Sequence, residues 1–242
     1  MTDVQVDRNG RLWIATVEGI DLFNPSSGMY EEYLRRTTAE ARSIYTRFTI
    51  DNAGILWVGT YDKGVFFLHP RSFRLPHLAL RGSTGRPMGM EMIDLWKDGS
   101  LWISGDRKAF EIDPGSLEVE QIVDLYPARE DIPFGRAVAD SYNDGKRRIW
   151  YGTFGVGLYS LEPATGRVKN YRPPLRTDRS KQKLYACQGV AGAGGDSLWV
   201  AVDYDGVYKF DPRTEIFSKS LDCCAYRLMK DSRGVVWISD DQ

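Results

Sequence analysis

Three observations predict an all-β chain, a β-propeller of four-stranded antiparallel blades. The first is a phrase built on tryptophan. Leu12-Trp13-Ile14-Ala15 returns as Leu56-Trp57-Val58-Gly59, Leu101-Trp102-Ile103-Ser104, Ile149-Trp150-Tyr151-Gly152, Leu198-Trp199-Val200-Ala201 and Val236-Trp237-Ile238-Ser239. These tryptophans lie 44, 45, 48, 49 and 38 residues apart, and a steady period in that range marks a repeat architecture. Trp96 alone of the seven tryptophans stands outside the phrase. The second observation is a proline in step with the first. Pro25, Pro70, Pro114, Pro163 and Pro212 follow their tryptophans by 12, 13, 12, 13 and 13 residues. Six residues before each proline stand Gly19, Gly64, Lys108, Gly157 and Gly206. The third is composition: 24 glycines and 12% aromatic residues suit short strands joined by tight turns.

Each repeat divides into strands A to D. In the first, Val4-Gln5-Val6 alternates as strand A, and Asp7-Arg8-Asn9-Gly10 is a turn signal suited to positive φ. Leu12 to Thr16 is strand B, Gly19 opens strand C over Ile20 to Phe23, and Asn24-Pro25 begins the next turn. Met29 to Leu34 is strand D. The later repeats keep this order, so one propeller domain over 1–242 divides into blades near 3–36, 44–80, 90–126, 135–173, 186–222 and 225–242. Lys108 breaks the glycine rule, so the turn before strand C differs in the third blade. The last blade has only strands A and B, about five and a half blades in all. An open edge of that kind is an aggregation liability, and the expectation is a segment of a longer, seven-bladed propeller.

Side chains two apart on a strand share a face. Trp13 therefore stands beside Ala15, Trp57 beside Gly59 and Trp150 beside Gly152. A large ring next to a small residue lets one blade nest on the next, so Trp13, Trp57, Trp102, Trp150, Trp199 and Trp237 are expected as inter-blade core.

Charge and reactive residues narrow the function. A net charge of −1, from 32 basic and 33 acidic residues, gives no electrostatic footprint for nucleic acid. No run of about 18 apolar residues spans a membrane, and the N-terminus has neither the basic start nor the apolar stretch of a signal peptide. The two histidines, His69 and His77, are not spaced with cysteine or carboxylate as a zinc or nucleophile site, and His69 belongs to the turn at Pro70. The Asp-x-x-Gly turns read as Asx-turns and not as calcium loops. No catalytic residue, metal or cofactor is expected. Cys187 and the pair Cys223-Cys224 precede strand A of neighbouring blades. A disulfide from Cys187 to one of the pair and three free or buried thiols both remain open.

The phrase Asp-x-x-Gly-x-Leu-Trp-Ile-Gly-Thr, a later Gly-Leu and a Pro-turn resemble the two-component regulator propeller repeat. Here it reads Asp51-Asn52-Ala53-Gly54-Ile55-Leu56-Trp57-Val58-Gly59-Thr60 and Asp7-Arg8-Asn9-Gly10-Arg11-Leu12-Trp13-Ile14-Ala15-Thr16, and the likeness covers nearly the whole chain. The resemblance implies the extracytoplasmic, periplasmic sensor region of a bacterial histidine kinase or hybrid receptor. It also implies further blades and output domains in a parent protein, a homodimer through that parent, and in some members carbohydrate sensing. A complete chain without a leader would instead be cytoplasmic.

In a four-stranded meander the B–C loops and D–A links emerge at one face, the A–B and C–D turns at the other. The A–B and C–D turns are short, whereas the links Arg35–Ser43, Arg81–Glu91, Pro127–Gly135 and Pro173–Leu184 are long. Binding belongs on the variable loops. The B–C loops supply Glu18, Tyr61, Asp62, Lys63, Arg107, Phe154, Asp203, Tyr204 and Asp205; of these Tyr61, Asp62, Lys63, Arg107, Phe154, Tyr204 and Asp205 are the candidate ligand residues. Aromatic rings beside charges suit an oligosaccharide or another small polar ligand, and solvated loops are the plain alternative. Arg172, Arg176, Arg179, Lys181 and Lys183 form a basic loop that fits an anion or is simply solvated. The function expected is non-enzymatic ligand sensing; the alternatives are a protein-interaction scaffold and, further off, a propeller enzyme of the streptogramin-lyase kind.

Overall fold

The computed structural model describes residues 3–16, 18–35, 45–60, 64–68, 77–81, 88–126, 138–174, 185–231 and 233–240. Among them there are twenty-two strands and no helix. The first sheet orders β1 (Asp3–Val6), β2 (Leu12–Ala15), β3 (Gly19–Asn24) and β4 (Met29–Arg35). The second orders β5 (Tyr45–Ile50), β6 (Leu56–Thr60), β7 (Val65–Leu68) and β8 (His77–Leu78). The third orders β9 (Met92–Leu95), β10 (Leu101–Gly105), β11 (Lys108–Ile112) and β12 (Val119–Asp124). The fourth orders β13 (Val138–Asn143), β14 (Ile149–Thr153), β15 (Leu158–Glu162) and β16 (Arg167–Tyr171). The fifth orders β17 (Cys187–Gly194), β18 (Ser197–Val202), β19 (Gly206–Asp211) and β20 (Ile216–Leu221). The sixth has two strands, β21 (Ala225–Lys230) and β22 (Val236–Asp240). Neighbouring strands run antiparallel, and the chain forms two compact units, Met1–Ile122 and Val123–Gln242.

In sheets one, two and six a single carboxylate builds the A–B turn and holds the phrase tryptophan. Oδ1 of Asp51 accepts the N–H groups of Ala53 at 2.8 Å and Ile55 at 2.9 Å, which closes the turn. Oδ2 of the same residue accepts the indole N–H of Trp57 at 2.8 Å. Asp7 repeats the arrangement with Asn9, Arg11 and Trp13, and Asp231 with Arg233, Val235 and Trp237. The turn and the large core ring therefore share an anchor. For Asp7, burial works against ionisation. The donated bonds from Arg11, Asn9 and Trp13 outweigh it and hold the carboxyl below its ordinary range.

Within the first unit Trp13 packs among Ile20, Leu22, Phe48, Leu56, Val58 and Leu68, which joins sheet one to sheet two. Asp3 adds a polar tie, accepting the Phe48 N–H at 3.0 Å. Within the second unit Trp150 packs with Leu158 and Tyr171 of its own sheet and with Cys187, Val190, Leu198 and Phe210 of the next. Asp140 accepts the Val190 N–H at 3.0 Å. A Cβ on Gly152 would stand 2.5 Å from the Cys187 carbonyl oxygen, so the small residue beside the ring is where the next strand A lies.

Trp57, Trp102 and Trp150 are wholly buried, Trp13 nearly so, and Trp199 is half-buried. Trp237 corrects the expectation of core burial: it is 52% exposed. Its sheet lacks the third and fourth strands that supply Tyr33 against Trp13 and Tyr171 against Trp150. The third-sheet turn does differ, as Lys108 indicated. Gly105 pairs with Lys108, and Asp106 and Arg107 between them take φ of 45° and 67°, a tight hairpin turn with both central residues left-handed.

Two outcomes follow for stability, both read from denaturant midpoints. Trp150→Ala costs about 3–5 kcal/mol, and Trp237→Ala, built on the same phrase, costs less than half of that. Asp51→Ala removes the acceptor of three donors, one of them a buried indole, and costs about 1–3 kcal/mol.

Candidate functional site

In sheets one, two and four the B–C loop is closed by a threonine at the end of strand B. The Thr60 hydroxyl donates to the Gly64 carbonyl at 2.8 Å, and Thr153 donates to Gly157 at 2.6 Å. Thr16 and Gly19 make the same pair, at 3.3 Å. Gly157, at φ 103°, must be glycine. A Cβ there would stand 2.5 Å from the Tyr171 carbonyl oxygen, where strand D crosses the loop mouth.

In the second unit two B–C loops meet one link. The Tyr185 N–H donates to the Gly155 carbonyl at 3.0 Å, and the Gly157 N–H donates back to Tyr185 at 2.8 Å. One residue on, the Asp203 N–H donates to the Ala186 carbonyl at 2.9 Å. Half-buried Phe154 and the run Asp203-Tyr204-Asp205 thus flank residues 185 and 186. The Arg172 guanidinium lies over the Tyr185 ring at 5.3 Å. Tyr204 is 62% exposed and sits at φ 54°, an uncommon conformation for a bulky residue, so its ring stands in solvent at the tip.

The carboxylates on either side differ. Burial pushes the Asp203 carboxyl up, and the Gln188 side chain and Tyr204 backbone oppose the shift. Asp205 is buried; it accepts the Tyr208 hydroxyl at 2.6 Å and the Lys219 ammonium at 2.8 Å. Lys219 also reaches Asp222 at 3.1 Å, and the bond to Asp205 leads in holding its ammonium above the ordinary range. Asp205 is therefore committed to its own loop, whereas Tyr204 is exposed and Asp203 is half-buried with its Oδ1 covered.

The other candidates separate. Tyr61, Asp62 and Lys63 lie outside the described residues, as do Arg176, Arg179, Lys181, Lys183 and His69. Arg107 and Glu18 belong to B–C turns of the first unit. His77 pairs through its backbone with Phe66. Cys187, Cys223 and Cys224 form no disulfide, and burial pushes the Cys187 thiol far up. Among the described residues no group of three or more His, Cys, Asp and Glu residues is placed to hold a metal ion, and no helix is long and apolar enough to cross a membrane.

A second concavity was not anticipated. In the first unit an open cleft of about 500 Å³ lies on the A–B/C–D side, lined by the turns of the second and third sheets. Asp51, Asp98, Glu111, Asp113 and Glu120 put five carboxylates around it. The Ser100 hydroxyl lies 2.8 Å from Asp98 and 3.2 Å from Glu111. Burial pushes the Glu111 carboxyl up; the Ser100 and Trp102 side chains oppose this, and the like charges of Glu120 and Asp98 reinforce it. The signal in the sequence was Trp96, which occupies the third-repeat position where Asp7, Asp51, Asp144 and Asp231 stand in other repeats.

Solved structures share this fold. The extracellular domain of BT4673 from B. thetaiotaomicron, named for a hybrid two component system, superposes with a TM-score of 0.75 at 16% identity, over 100% of this chain and 31% of its own. PorZ of Porphyromonas gingivalis, named as a surface component of the type-IX secretion system, gives 0.72 at 14% identity over 99% and 37%. Virginiamycin B lyase from Staphylococcus aureus gives 0.70 at 14% identity over 98% and 76%. The chain spans about a third of the length of the first two. At these identities the likeness establishes the fold, an all-β propeller shared with extracellular domains of two component systems. No protein-family model matches the chain, and no curated protein matches it.

Glu111 sets a pH test. Its folded carboxyl holds a proton more tightly than the unfolded one, so its contribution to stability is greatest below the unfolded value of about 4.3 and is lost as pH rises through the higher folded value. Glu111→Gln removes that loss. Its denaturant midpoint lies at or above that of the parent chain at pH 7, and the difference closes near pH 3.5.

Proposed function

We propose that the chain is a non-enzymatic, ligand-sensing propeller segment of a bacterial two-component receptor. It works outside the cytoplasm, joined to further blades and an output domain of a longer parent. Its ligand is a carbohydrate or another polar organic molecule, taken on the B–C/D–A face. The observation that carries this is the Tyr204 ring, exposed at a left-handed backbone position beside the Asp203 carboxyl. An exposed planar ring stacks on an apolar sugar face. The neighbouring carboxyl and the Arg172–Tyr185 pair offer an acceptor and donors for hydroxyl groups. Fold likeness to extracellular domains of two component systems supports the receptor setting.

The test is calorimetric titration with a panel of neutral and acidic oligosaccharides. A ligand that binds the parent chain loses at least tenfold in affinity to Tyr204→Ala, while the unfolding midpoint moves little because the ring is exposed. A panel without a binder, or a binder indifferent to Tyr204, overturns the assignment.

A further inference from the structure

Among the described residues β22 is hydrogen-bonded along one edge only, to β21. The outermost strands of the other four-stranded sheets are guarded by charge: Glu31 and Glu32 in β4, Glu120 in β12, Lys169 in β16 and Lys219 in β20. Charges of this kind discourage further pairing at an edge. β22 runs Val236-Trp237-Ile238-Ser239 before its first charge, at Asp240, and both Trp237 and Ile238 are exposed. The strand is nevertheless held in place. Asp231 accepts the Val235 N–H at 2.9 Å and the Trp237 indole N–H at 3.2 Å, so turn and ring are set before anything pairs with the open edge.

Two indoles lack the cover that the repeat supplies elsewhere. In the complete sheets the third strand of one sheet packs on the tryptophan of the sheet before it. Leu68 shares a core with Trp13, Ile112 with Trp57, and Phe210 with Trp150 at 5.9 Å between ring centroids. Trp199 meets Val236 and Leu228 of the sixth sheet but no third strand, and it is half-buried. The packing between the fifth and sixth sheets therefore runs on into an uncovered ring.

Register specifies what belongs there. Opposite the residue before each phrase tryptophan stand Phe23, Leu68, Ile112, Leu161 and Phe210, all large and apolar. Opposite the residue after it stand Phe66, Phe110, Tyr159 and Tyr208, with Asp21 in the first sheet. Opposite the small residue stand Ile20, Val65, Ala109, Leu158 and Val207. The residue facing the tryptophan itself varies, from Leu22 to Glu111 to Lys209. We propose that the open edge of β22 is a docking site for one antiparallel strand reading aliphatic, aromatic, any residue, large apolar. The large apolar residue faces Val236 and covers Trp199; the aliphatic one faces Ser239. Backbone ladder bonds give affinity and these alternate side chains give selectivity. The inference rests on the reading of the chain as part of a longer parent, whose continuing segment supplies the strand.

The probe is a fluorescein-labelled peptide of residues 206–221, the third and fourth strands of the fifth sheet, titrated into the whole chain and followed by anisotropy. It binds one to one, slows amide exchange along β22 and shifts tryptophan emission to shorter wavelength. Phe210→Ser within the peptide weakens binding at least tenfold; the chain is untouched, so the loss is not lost structure. Val236→Lys in the chain has the same effect, whereas Ile122→Lys, on the exposed edge strand β12, changes affinity less than twofold. Absence of binding at millimolar peptide, equal affinity for the Phe210→Ser peptide, equal loss in Ile122→Lys, or self-association of the chain through β22 that the peptide does not reverse overturns the proposal. A saccharide that binds at Tyr204 while the peptide does not bind overturns this inference alone; the converse overturns the ligand assignment alone.

Discussion

The structure depends on a carboxylate shared between a turn and an indole. In Asp51 one oxygen fixes two backbone N–H groups and the other fixes Trp57. The turn therefore sets the rotamer of the largest core side chain, and that side chain sets where the next sheet can lie. Neither half suffices. A turn alone leaves the ring free to choose among rotamers, and a ring alone leaves its N–H buried without an acceptor. Joined, they make a local unit of seven residues that carries packing information across to the following sheet.

This explains why the sheets were legible in the sequence and much of the site was not. Period and punctuation are local, and they located the Asp51 turn, the Leu56–Thr60 strand and the odd hairpin at Lys108. The expected burial of Trp237 failed because burial is supplied by other strands, not by the phrase itself. Asp205 looked like a ligand residue by position, yet Tyr208 and Lys219 occupy both of its oxygens, which only the register of β19 and β20 reveals. Asp203, two residues before it, stands in the same loop, although its burial gives it a different character. The cleft needed two turns distant in sequence to be brought side by side. Gly99 lies near the Asn52 side chain, a proximity no single repeat announces.

The two ends of the sheets obey different physics. On the A–B side the turns are short, and those at Asp7, Asp51 and Asp231 are closed by a carboxylate that also holds the indole. In the third sheet Trp96 stands in the aspartate's place, and the Ser100 hydroxyl bridges Asp98 and Glu111 instead. On the B–C side Tyr204 takes a left-handed backbone conformation at a tip where most of its surface is exposed.

The threonine-to-glycine closure has a consequence for how such a chain can change over time. Thr60 with Gly64, and Thr153 with Gly157, pinch each loop at its neck. Whatever lies between the two ends hangs from a fixed point and transmits little strain to the ladder beneath. Substitutions, or insertions of a residue or more, can accumulate there while the scaffold is conserved. New selectivity can thus arise one loop at a time, by small steps through variants that all still fold.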